Sequence, residues 1–301
     1  MNITFLNLDL ILVFELILVG LLIGIVASML GIGGGLLTVP TLILLFSRSA
    51  QEASAISIVV IIFTSSSASL TNFQHRRIDF RTGLLFAIFV VPFSFLGSYV
   101  GEHLDDSMLV IVFGIFLLLV SIWKIWTQLK KMRKNNGINM EIVQSTDSIP
   151  ETLFRKSLLP QNNERRILVD SDGKEFNYTI KMRKTMLGAI AGGFLGGLLG
   201  LGGGVIFVPV LLAGGVPPHI AVATSSFIII FTSVSGSLGR LLYGSILWGY
   251  VFALAIGTVS GARLGAKKVK KISSQKVLIA FYVIVFLSGV RIILKAFGLF
   301  V

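Results

Sequence analysis

Gly31-Ile32-Gly33-Gly34-Gly35-Leu36-Leu37-Thr38-Val39-Pro40 decides how this chain is read, because the chain says it twice. It returns as Gly200-Leu201-Gly202-Gly203-Gly204-Val205-Ile206-Phe207-Val208-Pro209. Each copy is a glycine cluster that follows an apolar run and opens a short apolar run containing a proline. The agreement continues downstream. With one deletion, Ile61-Ile62-Phe63-Thr64-Ser65-Ser66-Ser67-Ala68-Ser69 lies on Ile229-Ile230-Phe231-Thr232-Ser233-Val234-Ser235-Gly236-Ser237. Self-similarity of this density marks an internal duplication.

Outward from the clusters, the 301-residue chain is 54% hydrophobic and only 13% charged, where soluble domains are about 25% charged. Its mean hydropathy is +0.90. The expected fold class is therefore an all-α polytopic membrane protein. There are no cysteines, which excludes disulfides, thiolate metal sites and cysteine nucleophiles. The net charge of +12 comes from Lys and Arg placed between apolar runs. There they orient the chain and meet anionic lipid, so the partner they imply is a bilayer and not nucleic acid. The first apolar run lacks a basic leader, carries Asp9 and Glu15, and runs straight into the glycine cluster; it does not read as a cleavable signal.

Five apolar segments precede the middle of the chain: a (10–30), b (36–46), c (53–71), d (82–100) and e (107–126). Five come after it in the same order: a′ (185–199), b′ (205–213), c′ (220–238), d′ (246–262) and e′ (276–297). This predicts about 8–10 membrane segments in two repeats, 1–126 and 185–301. At ~1.5 Å per residue segment a can cross a ~30 Å hydrocarbon core, whereas b and b′ are too short. Pro92 predicts a kink in d, and Trp123 with Trp126 an interfacial anchor. Residues 127–184 have soluble composition and many basic residues. Within them, two short apolar-alternating runs flank Asp170-Ser171-Asp172-Gly173, which reads as a small β-hairpin or else as a disordered linker.

Charge relates the repeats. The c–d loop is basic (Arg76, Arg77, Arg81) and the d–e turn acidic (Glu102, Asp105, Asp106). In the second half the c′–d′ loop carries only Arg240, while the d′–e′ turn holds Lys267, Lys268, Lys270 and Lys271. Equivalent loops of opposite sign imply two inverted-topology repeats, with the central insert cytoplasmic and the N-terminus outside. Inversion requires an odd number of crossings per repeat. That holds if a and b both cross, or if they form a glycine-rich broken helix or hairpin on one side, with three membrane helices after it.

Irregular backbone at membrane depth persists only inside protein or beside a wet cavity. Two glycine clusters that each open a short helix would bring bare N–H groups and two helix N-termini to the repeat interface, an environment suited to an anion. Gly33, Gly34, Gly35, Gly202, Gly203 and Gly204 are therefore candidate substrate-binding residues. The spaced Gly188, Gly192, Gly196 and Gly200, echoed by Gly20, Gly24 and Ser28, read instead as helix-packing positions. Segment c carries Ser65, Ser69 and Asn72 on one helical face, and c′ carries Ser233, Ser237 and Arg240 on the equivalent face. Hydroxyls with one cation suit a small oxyanion; hydroxyls that merely bond their own helix are the bland alternative. Arg240 either answers the anion's charge or snorkels to the interface. Glu15 is the acidic side chain within segment a placed to carry a coupling proton, with an interfacial position as its alternative.

At these residues the chain resembles the TauE/SafE sulfite-exporter family of membrane permeases. The resemblance rests on the paired Gly-x-Gly-Gly-Gly-x-x-x-x-Pro clusters and the Ser/Thr-rich segment after each, and it covers nearly everything except 127–184. It implies a multi-pass plasma-membrane permease for sulfite, sulfonates or related small sulfur-containing anions. The long basic insert is more than the resemblance accounts for. Neither cluster leads into the Gly-Lys-Ser/Thr of a phosphate loop, and the three histidines lie near segment ends. The chain is thus not expected to be an enzyme or to need a cofactor or metal. The expected function is a secondary carrier working by alternating access, with an anion channel or a membrane scaffold as the alternatives.

Overall fold

The computed structural model describes residues 9–30, 33–135, 164–171, 173–242, 246–268 and 274–297. The first half holds α1 (Leu10–Leu30), α2 (Gly35–Leu45), α3 (Ala50–Gln74), α4 (Phe80–His103) and α5 (Asp106–Asn135). Next comes a two-stranded antiparallel hairpin, β1 (Glu164–Val169) with β2 (Glu175–Ile180). The second half repeats the order with α6 (Met182–Leu198), α7 (Gly204–Ala213), α8 (Pro218–Leu241), α9 (Trp248–Lys268) and α10 (Ser274–Ala296). The chain is an all-α polytopic membrane protein apart from that hairpin, and among the described residues five helices are long and apolar enough to cross a bilayer.

The helices begin where the sequence supplies caps. Ser49 and Glu52 form a reciprocal capping box on α3, and Asp79 accepts from Thr82 N at the start of α4. The hairpin expected around 170 is present, paired Val169 to Glu175. Segment e extends beyond the expected limit at 126, as α5 continues to Asn135. Thr127 Oγ1 donates to Trp123 O and Lys130 lies over the Trp126 ring, so the helix carries on past its interfacial tryptophans. The four-lysine turn falls largely on 269–273, outside the described residues.

Packing exchanges the halves. α1 lies along α9 of the other half and α6 along α4; α3 packs on α8, and α5 on α10. Every one of these relations maps onto itself or its partner when the halves are interchanged. Glycine makes the approach possible. A Cβ at Gly24 would strike the Thr258 backbone, and one at Gly197 the Ser94 backbone. The spaced glycines of α6 likewise face α7, Gly188 toward Val210 and Gly192 toward Ile206 and Phe207, as the packing reading expects.

Helix direction is read from the side-chain bonds. Ser54, near the start of α3, accepts from Arg240 at the end of α8 (2.8 Å). Just past the other end of α3, Asp79 N donates to Thr224 Oγ1 near the start of α8 (3.0 Å). α3 and its counterpart α8 are therefore antiparallel. Between α5 and α10, Gly114 meets Ile293 while Leu117 meets Gly289, so this equivalent pair is antiparallel too. The α6–α7 unit is a hairpin, since Lys181 N, before α6, donates to Gly214 O, just past α7 (3.0 Å). The α1–α2 unit is one as well. The end of α2 reaches the start of α9 through Phe46 and Arg48 on Tyr250, and α1 runs parallel to α9. One end of the bundle collects Arg76, Arg77, Arg81, Lys130, Arg183 and Arg263. The opposite end holds Glu102, Asp105 and Asp106 together with Arg48, Arg291 and Lys295, cations that count against a simple basic-to-acidic polarity.

Candidate functional site: two glycine turns and a polar cavity

The glycine clusters become two left-handed turns. Gly33 (φ 81°) and Gly34 (φ 87°) lead into α2; Gly202 (φ 64°) and Gly203 (φ 80°) lead into α7. At φ of this sign an L side chain is strained, which is the local reason for glycine. Each turn is held by the equivalent threonine of its own half. Thr64 Oγ1 donates to Gly33 O (3.0 Å), and Thr232 Oγ1 to Gly202 O (2.9 Å). The turns touch at the centre of the bundle, where a Cβ on Gly35 would sit 3.0 Å from Leu201 Cα. Between them lie Ile61 and Ile229, themselves repeat equivalents and both buried. Two short helices thus start back to back at the core and run outward to opposite ends.

A cavity of about 180 Å³ opens beside the first turn, room enough for several waters or a small anion. Its wall includes Gly33, Thr64 and Ser65, then Thr71 and Asn72 toward the end of α3. Ser226 faces in from α8, Ser28 from α1 and Arg263 from α9. Arg263 is exposed at the mouth, on the basic end of the bundle. The floor is the Ile229 side.

Of the expected site residues, Gly33, Ser65 and Asn72 line this cavity. Gly34 packs toward Ala27 and Ile23, Gly35 toward Ile61, Gly203 toward Phe207, and Gly204 is buried at the start of α7. Gly202 faces the Ser233 hydroxyl (2.8 Å from a Cβ). Ser69 is buried beyond the lining, and Ser237 returns its hydroxyl to Val234 O. Ser65 Oγ also bonds its own helix at Ile61 O (2.6 Å), as the bland reading of the stripe expects. Glu15 lies exposed on α1, away from the cavity. Arg240 neither snorkels nor reaches the cavity. It is fully buried, bonded to Glu102 Oε2 (2.7 Å), Ser54 Oγ (2.8 Å) and Leu198 O (3.0 Å). Both terminal nitrogens of the guanidinium are bonded inside the protein, while its Nε is buried without a hydrogen-bond partner among the described residues.

Sequence reading missed Arg263, which stands one residue beyond the expected end of d′, and it passed over the turn-holding role of Thr64 and Thr232. The signal was available: a single arginine after Ser260, Gly261 and Ala262 in an apolar run, and a threonine at the same place in both repeats.

A family model for sulfite exporter TauE/SafE matches residues 16–292. The chain belongs to the TauE/SafE family. It is 30% identical over 286 residues to the probable membrane transporter protein YunE of Bacillus subtilis, covering 92% of this chain and 96% of that one. A probable membrane transporter protein of Methanocaldococcus jannaschii is 27% identical over 296 residues, 93% and 94% of the two chains. Sulfite exporter TauE/SafE family protein 6 of Arabidopsis thaliana is 26% identical over 141 residues, 46% of this chain and 33% of that one. No solved structure matches. Membership makes this chain a multi-pass membrane transporter and not an enzyme. The TauE/SafE match spans both glycine turns and the cavity.

Proposed function

We propose that this TauE/SafE transporter is a secondary carrier for a small oxyanion, sulfite or a short organosulfonate, working by alternating access across the repeat interface. The observation that carries the proposal is the cavity itself: small, hydroxyl-lined, ending at a left-handed glycine turn and headed by Arg263. The Arg263 guanidinium and the Asn72 amide match the charge and oxygens of such an anion. The Ser28, Thr64, Ser65, Thr71 and Ser226 hydroxyls would have to turn from the backbone carbonyls they now bond. The cavity is bounded by Ile229, which packs with its equivalent Ile61 between the two turns, and this suits a carrier caught open to one side better than a continuous channel.

The same reading takes the halves as inverted repeats. It is supported by antiparallel α3–α8 and α5–α10 and by one hairpin plus three crossing helices per half. The positive-inside rule then sets the basic end, with the hairpin and residues 127–184, in the cytoplasm of the plasma membrane, and the N-terminus outside. The cavity in this state faces inward.

Uptake of labelled sulfite into proteoliposomes, with and without a pH gradient and with sulfate and a short organosulfonate as competitors, tests this. Saturable, competed flux is expected. Arg263→Gln should raise KM about tenfold, the effect of losing ~1.4 kcal/mol of anion binding, with Tm unchanged. Flux that never saturates would overturn the carrier, and an unchanged KM would remove Arg263 from the site.

A further inference from the structure

The lining of the open cavity has a counterpart in the second half, and there the same positions are closed. In the register of the repeat, Ser65, Ala68, Thr71 and Asn72 correspond to Ser233, Gly236, Gly239 and Arg240. Val222, on the facing wall, corresponds to Ser54. Around the first set there is space. Around the second the helices have come together: a Cβ on Gly236 would lie 2.9 Å from Ser98 Oγ and 3.1 Å from Ser94 Oγ, and one on Gly239 3.0 Å from Ser98 Cβ. This closed region is unusually polar for a helix junction. Ser233 Oγ is buried with no hydrogen-bond partner among the described residues, whereas the hydroxyl of its counterpart Ser65 is bonded.

We propose that these residues are the far-side half of the anion's path in its collapsed state. Arg240 is its anion-binding cation, and the Glu102 carboxylate occupies the anion's place until the path opens. The bond set is what such a stand-in needs. Arg240 is fully buried and donates to Glu102, to Ser54 and to the Leu198 carbonyl beside the second glycine turn. The pair thereby ties the ends of α4, α8 and α6 to the start of α3, at the end of the bundle opposite the open cavity. Gly101 makes room for it, since a Cβ there would lie 2.7 Å from Arg240 Nη2 and 2.8 Å from Leu198 O. An ion pair shielded from water holds as long as both charges stay matched. When the far end opens, water solvates Glu102 and an oxyanion can take its place on Arg240. Occupancy of Arg240 by Glu102 or by the anion is exclusive, so closure and anion entry compete for one cation. The anion part of this inference rests on the carrier reading; the movement does not.

The absence of cysteine makes the test direct. Single-cysteine variants Ser65→Cys and Ser233→Cys of the full chain are reconstituted in liposomes. A membrane-impermeant methanethiosulfonate is then added to one side at a time. The Ser65→Cys thiol is expected to react from the basic end and the Ser233→Cys thiol only slowly, from the other. Glu102→Gln should raise far-side modification of Ser233→Cys about tenfold, as a shift of the two-state equilibrium, and slow modification of Ser65→Cys. Glu102→Asp, which keeps the charge, should move both rates much less. A short alkanesulfonate, which unlike sulfite does not consume the thiosulfonate reagent, should protect Ser233→Cys in the Glu102→Gln background, and Arg240→Lys should weaken that protection. Tm and a monodisperse elution profile in detergent report whether each variant is folded; where Glu102→Gln is not, Arg240→Gln, which removes the other charge of the pair, replaces it as the opening variant. An unmoved Ser233→Cys rate in a folded variant, or modification of that thiol from the basic end, would overturn the proposal. Should Glu102→Gln shift both rates while the alkanesulfonate protects neither thiol, the gate stands and the anion reading falls.

Discussion

A φ near +80° explains why glycine stands at 34 and at 203, yet the two positions differ in what surrounds them. A Cβ at Gly34 meets only Ala27 Cβ at 3.5 Å and Ile23 Cγ2 at 3.6 Å, so Gly34→Ala carries backbone strain alone, about 1–2 kcal/mol. At Gly203 the Cβ would also lie 2.9 Å from the Gly192 carbonyl oxygen and 2.6 Å from the Phe207 ring. Gly203→Ala should therefore lower Tm in detergent clearly more than Gly34→Ala. The larger Gly34→Val and Gly203→Val should abolish flux while leaving membrane insertion intact, read by fractionation beside the uptake assay. Equal thermal losses for the two alanine variants would mean that the second turn is looser than its contacts indicate. Both turns were legible in the sequence as clusters, because only glycine tolerates this backbone. The threonines that hold them were not, because a hydroxyl bonding across chain segments looks the same in sequence as one bonding its own helix.

Among the elements, the β-hairpin is the one that breaks the helical pattern, and it is fastened by one buried carboxylate. Asp79 caps α4, accepts from Tyr178 Oη (2.9 Å) and Thr82 Oγ1 (2.6 Å), and lies 3.8 Å from Arg166 Nε. A second pair, Arg77 with Asp170 at 3.4 Å, joins the α3–α4 loop to the hairpin turn. Burial, and then the Asp79 charge, push the Tyr178 phenol well above its ordinary value. With the folded pKa above the unfolded one, its contribution is full below about pH 10 and is lost only beyond that. Tyr178→Phe should cost about 1.5–3 kcal/mol, the worth of a hydrogen bond to a charged group. The Tm difference from the parent should stay constant between about pH 6 and pH 9; a difference that shrinks within that window would contradict the assignment. The alternating pattern of the strands offered the hairpin as one of two readings, beside a disordered linker. Where it docks did not show, since Asp79 and Tyr178 are 99 positions apart.

For the whole molecule the consequential asymmetry is charge. The exposed arginines of the α3–α4 loop and the α9 end share one face with the hairpin. In intact cells an impermeant thiol label should reach a cysteine placed at Asp9 and fail to reach one placed at Ser171. The reverse pattern would turn the protein over and make the present cavity outward-facing. The match over 16–292 establishes a TauE/SafE transporter, and the relatives' coverage of more than nine-tenths of this chain carries that through both halves.

By itself the sequence determined the properties that composition and periodicity control: a membrane-embedded helical bundle, duplicated, with a special backbone at two equivalent points. Those properties are local, set by apolar runs of given length and by glycine's freedom at positive φ. The tertiary structure alone decided which of two equivalent polar regions is open. The repeats carry near-identical Ser/Thr segments, and no local rule separates an α3 with a cavity beside it from an α8 packed shut. That difference lies in how distant residues are brought together: Arg240 with Glu102, Gly236 beside Ser94 and Ser98, and Arg263 with Asn72 in the lining of one cavity. The two copies of the pattern meet at one pair of equivalent isoleucines, Ile61 and Ile229. Which of them closes is settled by the packing of the whole bundle.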